Sequence, residues 1–158
     1  MDNPSFLYAI AGVSMSMAGF TGLVAALRRA EAVRAQHLFW IGIILWHCLA
    51  ATFFALFPVT LYALWPDAAG VLRLSSAVLA VFALERFWRP SVGLIAVGTS
   101  IRTVDSLLAL VNVAVGSLGL YELALLLLLG MPAYSFGLLF TFGLDAPTER
   151  EARPPSGR

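Results

Sequence analysis

The chain has 158 residues, of which 60% are hydrophobic and 12% are charged, with a formal net charge of +1. An ordinary soluble domain is about 45–50% apolar and about 25% charged, so a soluble fold of this length could not bury so much apolar surface. The near-neutral charge gives no reason to expect nucleic acid as a partner. The single cysteine, Cys48, excludes an intrachain disulfide and a cysteine-based metal site.

The first apolar segment, residues 6–27, predicts a membrane-spanning helix. It carries no charge over 22 residues, and at about 1.5 Å per residue it reaches across a hydrocarbon core of about 30 Å. It is not typical of a cleaved signal peptide, because Asp2 precedes it and Arg28 and Arg29 follow it. Signal peptides carry their positive charge first.

Two further spans are predicted in the middle of the chain. The second covers 38–58, and its apolar run continues to Trp65 beyond a kink expected at Pro58, where the ring removes a backbone donor. The third covers 71–87. Residues 91–101 are apolar but too few to span, so they are predicted to form an interfacial segment or a partly buried loop.

The last two predicted spans cover 105–121 and 123–144. Asp105 is expected at the start of the fourth span, where the positive end of a helix favours a carboxylate. Residues 145–158 are rich in charge and proline and are predicted to be a disordered cytoplasmic tail. The predicted fold is therefore an all-α bundle of about five transmembrane helices in one domain, residues 1–144.

An alternative with four spans joins 105–130 into one long helix and starts a half-helix at Pro132. It would bury Glu122 in the bilayer, which costs about 2.5–3.5 kcal/mol near the centre. It would also place the tail's arginines outside, so five spans is the better interpretation.

The arginines predict the orientation of the five-span bundle. One side of the membrane receives nine of the ten, and only Arg73 falls on the other; the nine are Arg28, Arg29, Arg34, Arg86, Arg89, Arg102, Arg150, Arg153 and Arg158. By the positive-inside rule those loops and the tail are cytoplasmic and the N-terminus is outside. The absence of lysine, with much alanine, leucine, valine and glycine, favours a GC-rich bacterial genome and hence the inner membrane.

The first helix has two faces on a wheel of about 100° per residue. Bulky side chains form one stripe, at Phe6, Ile10, Val13, Met17, Phe20, Val24 and Leu27. Small residues lie roughly opposite, and these helix-packing candidates are Ala11, Gly12, Ala18, Gly19, Gly22, Ala25 and Ala26. Small residues let helices approach closely in lipid, so we expect this face to pack on another helix, of this chain or of a second copy. We also expect the first helix to be central.

Four polar residues of the first two spans are candidate functional groups. Ser14, Ser16 and Thr21 either bond the carbonyl one turn back on their own helix or line a polar path. His47 lies near the middle of its span and needs a hydrogen-bond partner there. It is either a structural donor to a carbonyl or amide, or a group that carries protons or ligates haem or metal.

The last two candidates lie in the fourth and fifth spans. Asn112 is expected to hydrogen-bond across helices. Pro132 frees a carbonyl near Leu128, which either meets a neighbouring helix or lines a cavity, as the broken helices of transporters do.

Three function classes follow from these residues. The first is a non-enzymatic membrane protein that acts by helix association, as an accessory subunit or small homo-oligomer. The second is a small ion or solute channel or transporter with a polar path through the bundle. A membrane-embedded enzyme ranks last, because the sequence offers no catalytic pair, metal cluster or cofactor motif. The expected partners are the lipid bilayer and another membrane chain.

Overall fold

The computed structural model describes the backbone of residues 4–27, 35–85 and 95–144, and the side chains of residues 4–26, 38–85 and 103–138. Within these ranges the chain is all helical. Its five helices are α1 Ser5–Leu27, α2 Ala35–Leu64, α3 Ala68–Glu85, α4 Ile95–Val115 and α5 Leu118–Leu144. The predicted all-α class is confirmed. The predicted disordered tail lies outside the described residues.

Four helices are long and apolar enough to cross a membrane. The stretches that meet this condition are Ser5–Ala26, Leu38–Leu64, Ala68–Glu85 and Leu118–Leu138. The apolar part of α4 with described side chains, Thr103–Val115, is shorter. By length and composition, the chain is a multi-pass membrane bundle.

Helix α2 does not end at Pro58, the predicted boundary of the second span. It continues through the proline to Leu64. A proline removes the hydrogen bond to the carbonyl four residues earlier, here that of Phe54, and a helix continues past it when another group satisfies that carbonyl. The hydroxyl of Tyr121 donates to the Phe54 carbonyl at 2.7 Å, so α5 supports α2 at its proline.

The predicted start of the fourth span was wrong. Residues 95–101 are neither a loop nor a separate interfacial segment, because α4 begins at Ile95. Asp105 therefore lies in the middle of a 21-residue helix rather than at its N-terminus. Arg102 and Asp105 interrupt the apolar run. A helix about 30 Å long is therefore not recognised when spans are predicted from uncharged segments alone.

The predicted end of the fourth span was also wrong, because the chain turns at Gly116 and Ser117. Gly116 has φ 70°, the left-handed conformation that commonly ends a helix at glycine. Its N–H donates to the Asn112 carbonyl at 2.7 Å. The Asn112 side-chain oxygen then accepts the N–H of Ser117 at 2.7 Å. This turn excludes the single helix over 105–130 that the four-span alternative required.

Helix α5, not α1, is central in the described part of the bundle. It contacts each of the other four helices, whereas α1 contacts only α2 and α5. Over an apolar window of 18 residues, α1 has 22% of its residues buried, against 44% for α2. The main core joins all five helices through Leu7, Ile10, Ala51, Phe54, Ala55, Leu72, Leu79, Ala80, Ala109, Tyr121, Ala124, Leu125 and Leu128.

Candidate functional site

The hydroxyls of α1 are satisfied within their own helix. Ser14 donates to the Ile10 carbonyl at 2.8 Å, Ser16 to Gly12 at 2.8 Å and Thr21 to Met17 at 2.7 Å. Ser14 and Thr21 are buried, whereas Ser16 is exposed. The interpretation as local back-bonding is confirmed for all three. Such bonds let small polar side chains sit in apolar surroundings at little expense.

His47 is buried on α2, and its Nδ1 lies 2.8 Å from the Ile43 carbonyl. A carbonyl only accepts, so Nδ1 carries the hydrogen of this bond. The predicted hydrogen bond to a backbone carbonyl is confirmed. The neighbouring Cys48 is also buried. No group of three or more metal-ligating side chains occurs in the described ranges.

Asn112 joins α4 to α3 and fixes the turn that leads into α5. Its Nδ2 donates to the Ser76 hydroxyl of α3 at 2.8 Å, and its Oδ1 accepts the Ser117 N–H before α5. Both Asn112 and Ser76 are buried. The predicted hydrogen bond across helices is confirmed, and the same amide also fixes the turn between α4 and α5.

Replacing Asn112 with leucine, which keeps the size of the side chain, should lower the free energy of unfolding by about 1 kcal/mol. Two buried hydrogen bonds are lost, and in membranes such bonds average about 0.6 kcal/mol each. Denaturant titration in mixed micelles measures the change. Ser76→Ala is the matched control, because it removes only the first bond and should destabilise less. Equal losses in the two variants would contradict the capping role of Asn112.

Tyr121 is a buried polar residue that the sequence analysis did not single out. It was predicted to be the last residue of the fourth span, but it lies in the first turn of α5 and is fully buried. Besides its bond to Phe54, its hydroxyl lies near that of Ser75. The signal that could have found it is Pro58, because every proline within a helix leaves one carbonyl in need of a donor.

The most unexpected buried polar residue is Asp105, on α4. It is 3% exposed, and its Oδ1 has no hydrogen-bond partner. Ser75 Oγ, on α3, is likewise buried without a partner in hydrogen-bonding geometry. Asp105, Ala109 and Asn112 are spaced four and three residues apart, so they share one face of α4. This face, together with Ser75, Ser76 and Tyr121, forms what we call the polar core.

Pro132 is buried inside α5, which continues through it to Leu144. The carbonyl that it frees belongs to Leu128, itself only 5% exposed. Ser135, one turn later, is also buried. Pro132 therefore lies within the packed interior.

The predicted small face of α1 is divided in the structure. Ala11 and Ala18 are buried and Ala25 is half-buried, but the other predicted members, Gly12, Gly19, Gly22 and Ala26, are exposed. One residue of the bulky stripe, Ile10, faces the bundle instead of lipid and is only 3% exposed. The helix is rotated because Ser14 and Thr21, already satisfied by their own carbonyls, allow close contact on the same side as Ala11 and Ala18.

These features define a class, a multi-pass helical membrane protein with a buried polar core. Comparison with protein-family models gives no match, and no curated protein or solved structure is significantly similar to the chain.

Proposed function

We propose that the protein acts by association in the membrane and that its outer α1 face packs against a second copy of the chain. The outer α1 face consists of the exposed residues Tyr8, Gly12, Ser16, Gly19, Leu23 and Ala26. They fall within about 80° of arc on the helix, on the side opposite the contacts with α2 and α5. Four of these six residues are small.

The observation that carries this proposal is the open space at the glycines. A Cβ added at Gly12 or at Gly19 would meet no atom within 4 Å, so neither glycine is required by packing inside the chain. In lipid, small residues promote helix association because they let two backbones approach closely. The Ser16 hydroxyl is already bonded to the Gly12 carbonyl, so burying it in an interface adds no unsatisfied donor.

A second copy suits this face because the face can complement itself. When two identical helices cross at small residues, each supplies both the groove and the ridge of the contact, as an isologous dimer requires. The face also carries two larger side chains, Tyr8 and Leu23, which can pack across the partner helix. We place this assembly in a bacterial inner membrane, with the N-terminus outside and the C-terminus cytoplasmic, and assign it no enzymatic activity and no cofactor. An accessory-subunit role would use the same face on a different membrane chain.

Gly19→Ile should weaken self-association while leaving the monomer folded. The new side chain enters open space in the monomer but separates the two backbones in the dimer, so the dimer dissociation constant should rise about tenfold, or about 1.4 kcal/mol. Energy transfer between labelled copies in liposomes, diluted stepwise with lipid, measures the constant. Gly42→Ile on α2 is the matched control, because Gly42 is also exposed with nothing within 4 Å.

A chain that stays monomeric in liposomes at every dilution would overturn the proposal. So would equal effects of the two isoleucine variants, because the association would then not use the outer α1 face. Gly22→Ile, at the edge of the face, should have a smaller effect than Gly19→Ile.

The polar core favours a second candidate, a small ion or solute channel or transporter. Ser75 and Ser76 on α3 and Asp105 and Asn112 on α4 are polar side chains buried inside the bundle, whereas Ser14, Thr21 and His47 already bond carbonyls of their own helices. Flux measured in proteoliposomes tests this candidate through His47→Ala and Asn112→Ala. Unchanged flux in both folded variants would remove these two residues from any path.

A further inference from the structure

We infer that Asp105 is a proton-binding site in the interior of the bundle. The inference does not rest on self-association, because Asp105 lies on α4 and α1 makes no contact with α4 in the described part of the chain. Asp105 is the eleventh residue of the 21 in α4. At about 1.5 Å per residue it lies about 15 Å from the turn at Gly116, near the middle of the helix.

The burial of the carboxyl group and its unpartnered oxygen favour a bound proton. Asp105 is 3% exposed and its Oδ1 accepts no hydrogen bond. An ionised carboxylate with a buried, unpartnered oxygen is unfavourable, and acids within membrane bundles are characteristic of ion or proton sites. Binding one proton removes the charge and gives the carboxyl group an O–H that can donate a hydrogen bond.

The groups that face this site come from α3 and α5, the two helices packed against α4. On α3 the charged residues are Arg73, beside the turn at Gly116, and Glu85, at the last residue of the helix. On α5 the titratable residues with described side chains are Tyr121, Glu122 and Tyr134, of which only Tyr121 is buried. On α4 itself, Arg102 precedes Asp105 by one turn, and its side chain lies outside the described residues.

A proton explains the site better than a metal cation does. Hard cations are held by a shell of several oxygen ligands. Nearby, the Ser75 hydroxyl is unpartnered, whereas the Asn112 oxygen is already used by the Ser117 N–H and the Tyr121 hydroxyl already donates to Phe54. A single proton needs only the carboxyl group.

Infrared spectroscopy of the full chain in lipid nanodiscs tests the inference, because a protonated carboxyl group has its own carbonyl-stretch band. At neutral pH we expect this band in the wild type, its loss in Asp105→Asn, and its persistence in Asp67→Asn. The Asp67 control removes an exposed acid that begins α3, where asparagine is an equally good cap. Glu122→Gln is a second control and should also keep the band.

Three results would overturn the inference. The band could be absent from the wild type at neutral pH, which would mean that an ionised Asp105 is held by another group such as Arg102. The band could be lost in Glu122→Gln instead. It could also appear only after sodium is replaced by choline, which would make sodium the resident ligand. If Asp105→Asn does not fold, isotopic labelling of the aspartate carboxyl carbons decides the assignment, since only a band from aspartic acid then shifts in the wild type.

Discussion

Removing one hydroxyl group, in Tyr121→Phe, should lower the free energy of unfolding by about 2 kcal/mol. The Phe54 carbonyl has lost its own helical donor because residue 58 is proline, and the Tyr121 hydroxyl replaces that donor at 2.7 Å. Without the hydroxyl, the carbonyl stays buried and unsatisfied, which costs about 1–3 kcal/mol. Denaturant titration in mixed micelles measures the loss.

The proline supplies a sharp control for this prediction. In a Pro58→Ala background residue 58 regains an N–H that can bond the Phe54 carbonyl, so the added effect of Tyr121→Phe should fall well below that in the wild type. The wild type, the two single variants and the double variant form a double-mutant cycle. Its coupling energy measures how far the two substitutions act on the same Phe54 carbonyl. Additive effects would show that the hydroxyl stabilises the bundle by some other contact. Tyr62→Phe, on the half-buried end of α2, should change stability little.

Gly116→Ala should destabilise the bundle by about 2–3 kcal/mol. The residue has φ 70°, a conformation that costs a residue with a side chain about 1–2 kcal/mol. A Cβ there would also lie 3.1 Å from the Ala69 carbonyl oxygen of α3. Backbone atoms cannot yield as a flexible side chain can, so α3 and α4 would have to separate at this end. Unfolding in micelles measures the loss.

Gly119→Ala is the matched control three residues later. It lies in the first turn of α5, and the nearest atom to an added Cβ is the Ser117 hydroxyl oxygen at 3.9 Å. Alanine favours the helix over glycine by up to about 1 kcal/mol, so this variant should be unchanged or more stable. Comparable losses at the two positions would contradict the assignment of strain and crowding to Gly116.

The sequence predicts the class of fold well because apolar length is read directly from the residues. Runs such as 6–27 need no knowledge of their neighbours to be recognised as spans. Helix α4 was harder to predict, because the charged residues Arg102 and Asp105 lie within it. In a sequence, an aspartate next to an apolar run is typical of a helix N-terminus, and its burial by neighbouring helices is not visible. The turn at Gly116 was missed for the opposite reason, since apolar residues continue on both sides of it.

The polar core was predicted only in part. Asn112 could be recognised alone, because an amide within a span must find a partner. Its partner Ser76 could not, because the pairing depends on how α3 and α4 pack. The division of the small face of α1 into buried and exposed residues depends on how that helix is rotated about its axis. A helical wheel shows which residues share a face, but not which face contacts the other helices.

The contact between Tyr121 and Phe54 also constrains how the bundle is built during synthesis. The two residues are 67 positions apart. Helix α2 therefore enters the bilayer before Tyr121, whose hydroxyl bonds the Phe54 carbonyl, has been synthesised. Until the last helix arrives, water or lipid headgroups must solvate that carbonyl, which favours a shallow or mobile α2 in the nascent chain. A chain stopped at residue 115 should therefore be an easy substrate for membrane proteases.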